Sequence, residues 1–97
     1  MFAVIFRAEI KNLDAEYNEM AKKMRDLALN QFGCKEFIAV TEGDYEVAIS
    51  YWDNEEQIKE WKQNAEHMAA QRKGQNNWYS AYTVQVVEIV REYSSSH

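Results

Sequence analysis

The segment YWDNEEQIKEWKQNAEHMAAQRKGQNNWYSAY (residues 51–82) leaves a strand, forms a helix and leads into a second strand. Asp53 and Glu56 have the spacing of a capping box, with Asp53 as the cap, which predicts a helix start. Apolar residues then recur at helical spacing and predict one buried stripe: Ile58, Trp61, Ala65, Met68 and Ala69. We expect the helix to end near Gly74 and the last strand to span residues 81–91.

Upstream of this segment, the pattern predicts three more strands and one more helix. Residues 2–10 alternate at period two, so that one face of the first strand is wholly apolar: Phe2, Val4, Phe6, Ala8 and Ile10. Residues 14–32 carry the apolar stripe of a helix. Residues 34–42 and 45–52 are expected to form two strands joined by a tight hairpin turn at Gly43 and Asp44.

The resulting order, β-α-β-β-α-β, is that of the ferredoxin-like split-βαβ arrangement within the α+β class. It predicts a four-stranded antiparallel sheet with both helices on one face. The other face is uncovered in a single chain, and apolar strand residues make such a face unfavourable in water. We therefore expect a homodimer in which a second copy covers this face and encloses a chamber.

Composition limits the classes of partner. The 97 residues carry a net charge of -5 and contain no basic cluster, so neither nucleic acid nor an anionic membrane is expected as a partner. We expect a single domain over residues 1–93 and a frayed tail over residues 94–97. The chain has one cysteine, Cys34, and its first residues lack the features of a signal peptide, which predicts a cytoplasmic protein.

Specific residues in this framework resemble those of a known family. Trp52 and Asp53 open the second helix, Trp61 follows nine residues after Trp52, and His67 is followed by Met68. In these features and in element order the chain resembles the antibiotic biosynthesis monooxygenase (ABM) domain family of dimeric α+β barrels. The resemblance implies a homodimer with a pocket in each subunit. Some members oxidise phenols or quinols with O₂ and no metal or flavin, whereas others degrade haem, isomerise small metabolites or have no known activity.

The haem-degrading branch of the family differs from this chain at its haem-ligating position and on its first strand. It resembles this chain at Trp52 and Trp61, but its haem-ligating histidine falls where this sequence has Gln71. It also uses an asparagine on the first strand, which this chain lacks there. Haem degradation is therefore not favoured.

His67 and Arg7 are the candidate catalytic residues. Cofactor-independent oxygenation needs a base and a donor for a developing anion in a dry aromatic pocket. Histidine titrates near neutral pH, so His67 could be the base; alternatively, it binds a backbone carbonyl. Arg7 could hold a phenolate or carboxylate from the chamber wall, or it could pair with a glutamate across strands or across the dimer.

Aromatic residues supply the candidate substrate contacts: Trp52, Trp61, Trp78, Tyr79 and Tyr82. Trp61 lies on the apolar stripe, so it is either a core residue or part of the pocket wall. Trp78, Tyr79 and Tyr82 could stack on a flat ligand at the pocket mouth, or they could form the dimer contact.

No metal-ligand spacing is present, since His67 has no second ligand at helical spacing. We therefore expect a monooxygenase that uses no cofactor and acts on an aromatic, quinol-like compound. The alternative is a non-catalytic domain of the same fold that binds a hydrophobic small molecule or acts in a stress response.

Overall fold

The structure is a computed structural model that describes residues 1–11, 15–71 and 78–96, and the side chains of residues 66–71 lie outside the description. Within these ranges the chain forms four strands and two helices in the predicted order. They are β1 (Phe2–Ile10), α1 (Ala15–Gln31), β2 (Glu36–Glu42), β3 (Tyr45–Trp52), α2 (Glu55–Gln71) and β4 (Tyr79–Glu88). None of the described helices is long and apolar enough to cross a membrane.

The strands form one antiparallel sheet in the order β2-β3-β1-β4, which confirms the ferredoxin-like arrangement. β1 pairs with β3 and β4, and β3 pairs with β2, so these registers show on which face of the sheet each residue lies. Val4 pairs with Ser50 of β3 and Val86 of β4. Side chains alternate along each strand, so the even-numbered residues of β1, β3 and β4 share one face with the odd-numbered residues of β2. The register shifts between Glu9 and Ile10, and this irregularity places Tyr79, opposite Ile10, on the same face. We call this the inner face, and the opposite one the outer face.

Both helices pack on the inner face, as the apolar alternation of β1 predicts. Val4 contacts a cluster that contains Ala28 of α1, Ile58 of α2 and Trp52 of β3. A second cluster joins Ile10 to residues of α1 and to the start of β4: Tyr17, Met20 and Trp78. The two clusters anchor the ends of the helices against the sheet through apolar burial.

The outer face carries apolar side chains that no part of the described chain covers. Four are markedly exposed: Ile38 (44%), Val40 (61%), Tyr45 (60%) and Val87 (37%). Large exposed apolar patches of this kind are typical of contact surfaces.

The bounds of several elements differ from the prediction: α1 ends at Gln31 rather than at residue 32, and β4 ends at Glu88 rather than at residue 91. β2 begins at Glu36, two residues later than expected, and β4 begins at Tyr79, inside the predicted loop. At the start of α2 the backbone N–H of Gln57 donates to Asn54 Oδ1 at 2.9 Å. Asn54 is therefore the cap in place of Asp53, whose carboxylate lies 3.4 Å from Lys35 Nζ. The predicted helix end at Gly74 lies outside the described residues.

Two glycines have backbone conformations that other residues adopt at a cost. Gly43, at φ +60°, is the first residue of the two-residue turn between β2 and β3, which is the place of glycine in a type II′ turn. Gly33, at φ +82°, follows α1, and a Cβ there would lie 2.5 Å from Nε2 of Gln57. Gln57 in turn accepts a hydrogen bond from the N–H of Asp53.

We predict that Gly33→Ala lowers the free energy of unfolding by about 2 kcal/mol, whereas Gly43→Ala lowers it by about 1 kcal/mol. Both changes force alanine into a left-handed conformation, but only the first displaces Gln57 from its hydrogen bond. Urea unfolding of the two variants measures the difference. Equal losses would show that the contact with Gln57 contributes nothing.

Candidate active site

A cavity of about 550 Å³ lies between the inner face of the sheet and the two helices. The sheet contributes Phe6, Phe37, Ala39, Glu46, Ala48, Tyr79, Tyr82, Val84 and Val86. The helices contribute Tyr17, Asn18, Ala21, Lys22, Met24, Arg25, Ile58, Trp61, Lys62 and Ala65. The sequence predicts a chamber roofed by a second copy over the outer face. This cavity is a different space, because the helices of the same chain form its other wall. The chamber between two copies stays a prediction.

A hydrogen-bonded group of three side chains lies in the cavity wall. Tyr17 lies near the start of α1 and is buried, with 3% of its surface exposed. Its hydroxyl donates to Oε2 of Glu46, which points inward from β3. Tyr79, at the start of β4, is hydrogen-bonded to Tyr17 through their side chains. The three residues come from a helix and two different strands, so only the folded chain brings them together.

Burial changes the acidity of the two tyrosines. It raises the pKa of Tyr17 far above its ordinary value, and the hydrogen bond to Glu46 raises it further. Burial also raises the pKa of Tyr79, against a smaller lowering from its hydrogen bond with Tyr17. Both hydroxyls therefore stay protonated through the neutral range and remain hydrogen-bond donors.

Aromatic rings form much of the remaining wall. Phe6 meets Tyr79 edge-on at 5.5 Å between ring centroids, and Tyr82 lies 6.0 Å from Phe6. On the α2 side, the Trp61 ring lies 6.2 Å from Phe37, and its Nε1–H donates to the backbone oxygen of Met24 at 3.0 Å. This bond fixes the indole plane, as expected for a tryptophan whose N–H is removed from water.

No protein-family model matches the sequence. The uncharacterized protein YqjZ of Bacillus subtilis strain 168 is 37% identical over 92 residues, which cover 94% of this chain and 81% of YqjZ. SnoaB, a cofactor-independent oxygenase from Streptomyces nogalater, has a TM-score of 0.77 at 11% identity, over 97% of both chains. A Nitrosomonas europaea protein assigned to the antibiotic biosynthesis monooxygenases has a TM-score of 0.69 at 12% identity, over 94% of this chain and 100% of that one.

The chain belongs to the family of YqjZ and has the fold of the antibiotic biosynthesis monooxygenases. The resemblance to the ABM family that the sequence indicates is thereby confirmed. The same fold also occurs in MhuD, whose structure holds two manganese protoporphyrin IX molecules per active site. MhuD has a TM-score of 0.63 at 16% identity, over 98% of this chain and 100% of that one.

Within this ABM fold, the predicted aromatic contacts divide into two groups. Trp61, Tyr79 and Tyr82 line the cavity. Trp52 is fully buried, donates from Nε1 to Ser50 Oγ at 2.8 Å and packs behind Trp61 at 5.4 Å. Trp78 is also buried, with its ring edge-on to Tyr17 at 5.4 Å. Trp52 and Trp78 therefore support the cavity wall from behind, and substrate contact by the other three stays a prediction.

Of the two predicted catalytic side chains, the structure describes that of Arg7. Arg7 is exposed on the outer face, opposite Val47 and Thr83, so it lies across the sheet from the cavity. Among the described residues, no carboxylate forms an ion pair with Arg7. The side chain of His67 lies outside the description, as does that of Gln71. Catalysis by His67 or Arg7 stays a prediction.

Tyr17 and Glu46 are the site residues that sequence analysis missed. Tyr17 belongs to the apolar stripe of α1, where a tyrosine counts as a core residue. Glu46 carried a usable signal, because it is the acid in an inward row that continues with Ala48, Ser50 and Trp52. An acidic side chain on the sheet face that packs against the helices needs a hydrogen-bond or ion-pair partner.

We predict that the free energy of unfolding falls as the pH rises above about 10, the ordinary pKa of tyrosine. In the unfolded chain Tyr17 ionises there, whereas burial keeps it protonated in the folded chain. Each tyrosine of this kind contributes a slope of about 1.4 kcal/mol per pH unit. Tyr17→Phe should have a shallower decline than the wild type in urea unfolding between pH 9 and pH 11, on the order of one such slope. Identical slopes would contradict the assignment.

Proposed function

We propose that this protein is a cofactor-independent monooxygenase that acts on an aromatic, quinol-like compound bound in the cavity. The observation that carries the proposal is the group formed by Tyr17, Glu46 and Tyr79 in a cavity whose sheet side is otherwise aromatic and apolar. The cavity volume, about 550 Å³, lies within the range of small-molecule sites. SnoaB, which shares the fold, is a cofactor-independent oxygenase.

The hydrogen bonds suggest a role for each side chain of the group. Glu46 Oε2 accepts from Tyr17, and we assign the other oxygen, Oε1, to the proton of a phenolic hydroxyl. Tyr17 thus orients the carboxylate and is a positioning residue. Tyr79 stays protonated because burial raises its pKa, and we assign its one hydroxyl hydrogen to turn from Tyr17 to the anion that forms.

The reaction balances without any co-reactant besides O₂. After deprotonation, a ring carbon of the electron-rich anion forms a C–O bond with O₂, and the O–O bond then breaks. One oxygen atom stays on the ring and the other leaves as water. The quinol supplies all four electrons and both hydrogen atoms of that water, so the product is a hydroxyquinone.

Non-catalytic binding of a hydrophobic small molecule is the alternative from a different class. A cavity filled by the protein's own side chains would favour the non-catalytic domain. This cavity is not filled in that way and has a volume of about 550 Å³. Haem degradation is a weaker alternative because the sequence has Gln71 where that branch has its ligand, although MhuD shows that the fold can hold a porphyrin.

We predict that Glu46→Gln lowers kcat by about 10²–10⁴-fold, because the amide cannot take the phenolic proton. Tyr79→Phe should lower kcat by about 10²-fold through loss of the donor. Oxygen uptake with a panel of dihydroxyaromatics, corrected for spontaneous oxidation, measures both. The matched controls are Glu42→Gln and Tyr45→Phe on the outer face, which should keep wild-type rates. No oxygen uptake above the blank with any panel member would count against an enzyme.

The same assay tests the candidates from the sequence. His67→Ala should lower turnover and leave the assembly intact if His67 is the base. Wild-type turnover in His67→Ala, together with loss of activity in Glu46→Gln, would assign the base to Glu46. An Arg7→Gln variant with unchanged kcat would exclude Arg7 from the chemistry.

We further propose that the outer face pairs with that of a second copy, as the family resemblance implies. We predict that Val40→Glu converts a dimer into a monomer, because it places a charge in the exposed apolar surface. Light scattering at micromolar concentration measures the mass. Leu29→Glu, at a residue of α1 that is 39% exposed, is the control that should keep the wild-type mass. A wild-type monomer would refute the dimer.

A further inference from the structure

The charge of the cavity lining is opposite to that of the whole chain. The chain has 16 acidic and 11 basic residues. Among the described residues that line the cavity, by contrast, three are cationic and one is anionic: Lys22, Arg25, Lys62 and Glu46. An acidic protein that places three of its cations around one cavity presents a local field that attracts anions.

The cations lie at the outer edge of this cavity. Tyr17, Ala21 and Met24 form the inward stripe of α1, and they are buried or half-buried. Lys22 and Arg25 each follow a member of that stripe by one residue, about 100° further around the helix, and both are exposed. On α2, Lys62 follows the half-buried Trp61 in the same way and is exposed. Both helices therefore present cations to the rim beside their inward stripes.

The one anion lies on the opposite wall. Glu46 belongs to β3 in the sheet, and its carboxylate accepts the hydrogen bond from Tyr17. Arg25 Nε lies 4.0 Å from Asp26 Oδ1, at the limit of an ion pair, and both side chains are about half exposed. Exposed pairs of this kind contribute little, so Arg25 can turn to a ligand at small cost.

We propose that the ligand is an aromatic carboxylate whose ring system lies in the aromatic wall and whose carboxylate lies at the helix rim, against Lys22, Arg25 and Lys62. The charges set its orientation. The carboxylate is repelled by Glu46 and attracted by the rim, so the phenolic end of the same molecule points to Glu46 and Tyr79. Guanidinium and ammonium groups both donate to carboxylates. This inference rests on the proposed function and narrows its substrate class.

The test compares two compounds that differ by one carboxylate, 1,4-dihydroxy-2-naphthoic acid and 1,4-dihydroxynaphthalene. Binding is followed anaerobically by calorimetry and by tryptophan fluorescence, to which Trp61 in the cavity lining contributes. We expect the acid to bind at least about fivefold more tightly at low salt, and this preference to shrink as the salt concentration rises.

Variants that remove single charges show which residues cause the tighter binding of the acid. Lys22→Gln and Arg25→Gln should each weaken binding of the acid about two- to fivefold and leave binding of the neutral compound unchanged. The matched controls are Lys23→Gln and Lys59→Gln, on the same helices but outside the lining, and they should have no effect. All four sites are exposed, so folding should be preserved.

The outcomes separate this inference from the proposed function. Equal or weaker binding of the acid would overturn the inference, while binding and oxidation of the neutral quinol would leave the monooxygenase standing. An effect of Lys23→Gln as large as that of Lys22→Gln would also overturn the inference, since the preference would then reflect overall charge. Binding of neither compound would refute both. Preferential binding of the acid without oxygen uptake would support the site and refute the oxygenase.

Discussion

Alternation along the central strand β1 is the constraint on which the rest of the structure depends. Because β1 pairs with β3 on one side and β4 on the other, its register decides the face of every residue in three strands. Its apolar even-numbered residues hold both helices on the inner face, around Val4 and Ile10. A shift by one residue would exchange the two faces and place Arg7 and Glu9 under the helices.

The cavity follows from the way the helices are anchored. One cluster holds Ala28 and Ile58 near Trp52, and the other holds Tyr17 and Met20 near Trp78. Between them, small residues such as Ala21, Ala48 and Ala65 leave space that large side chains do not fill. Aromatic rings, a buried hydrogen-bonded carboxylate and a rim of cations surround this space. The cavity is therefore polar at two opposite walls, at Glu46 on the sheet and at the cations on the helices, and apolar between them.

Much of the fold could be predicted from local patterns, and the differences arise where several residues compete for one role. Asp53 and Asn54 are both good helix caps; Asn54 is the cap, and the Asp53 carboxylate lies 3.4 Å from Lys35 Nζ. The expected last strand begins at residue 81, but pairing with Ile10 draws Tyr79 into β4. These outcomes depend on partners that are distant in sequence, which local propensity does not include.

The sequence by itself determined the order of the elements, the two faces of the sheet and the exposed apolar outer surface, because periodicity depends only on neighbouring residues. It also identified Trp61, Tyr79 and Tyr82, which line the cavity. Only the tertiary structure decided that the cavity lies under the helices and that Tyr17 meets Glu46 across 29 positions. Such contacts form when helices and strands pack, so residue types and spacings along the chain do not specify them.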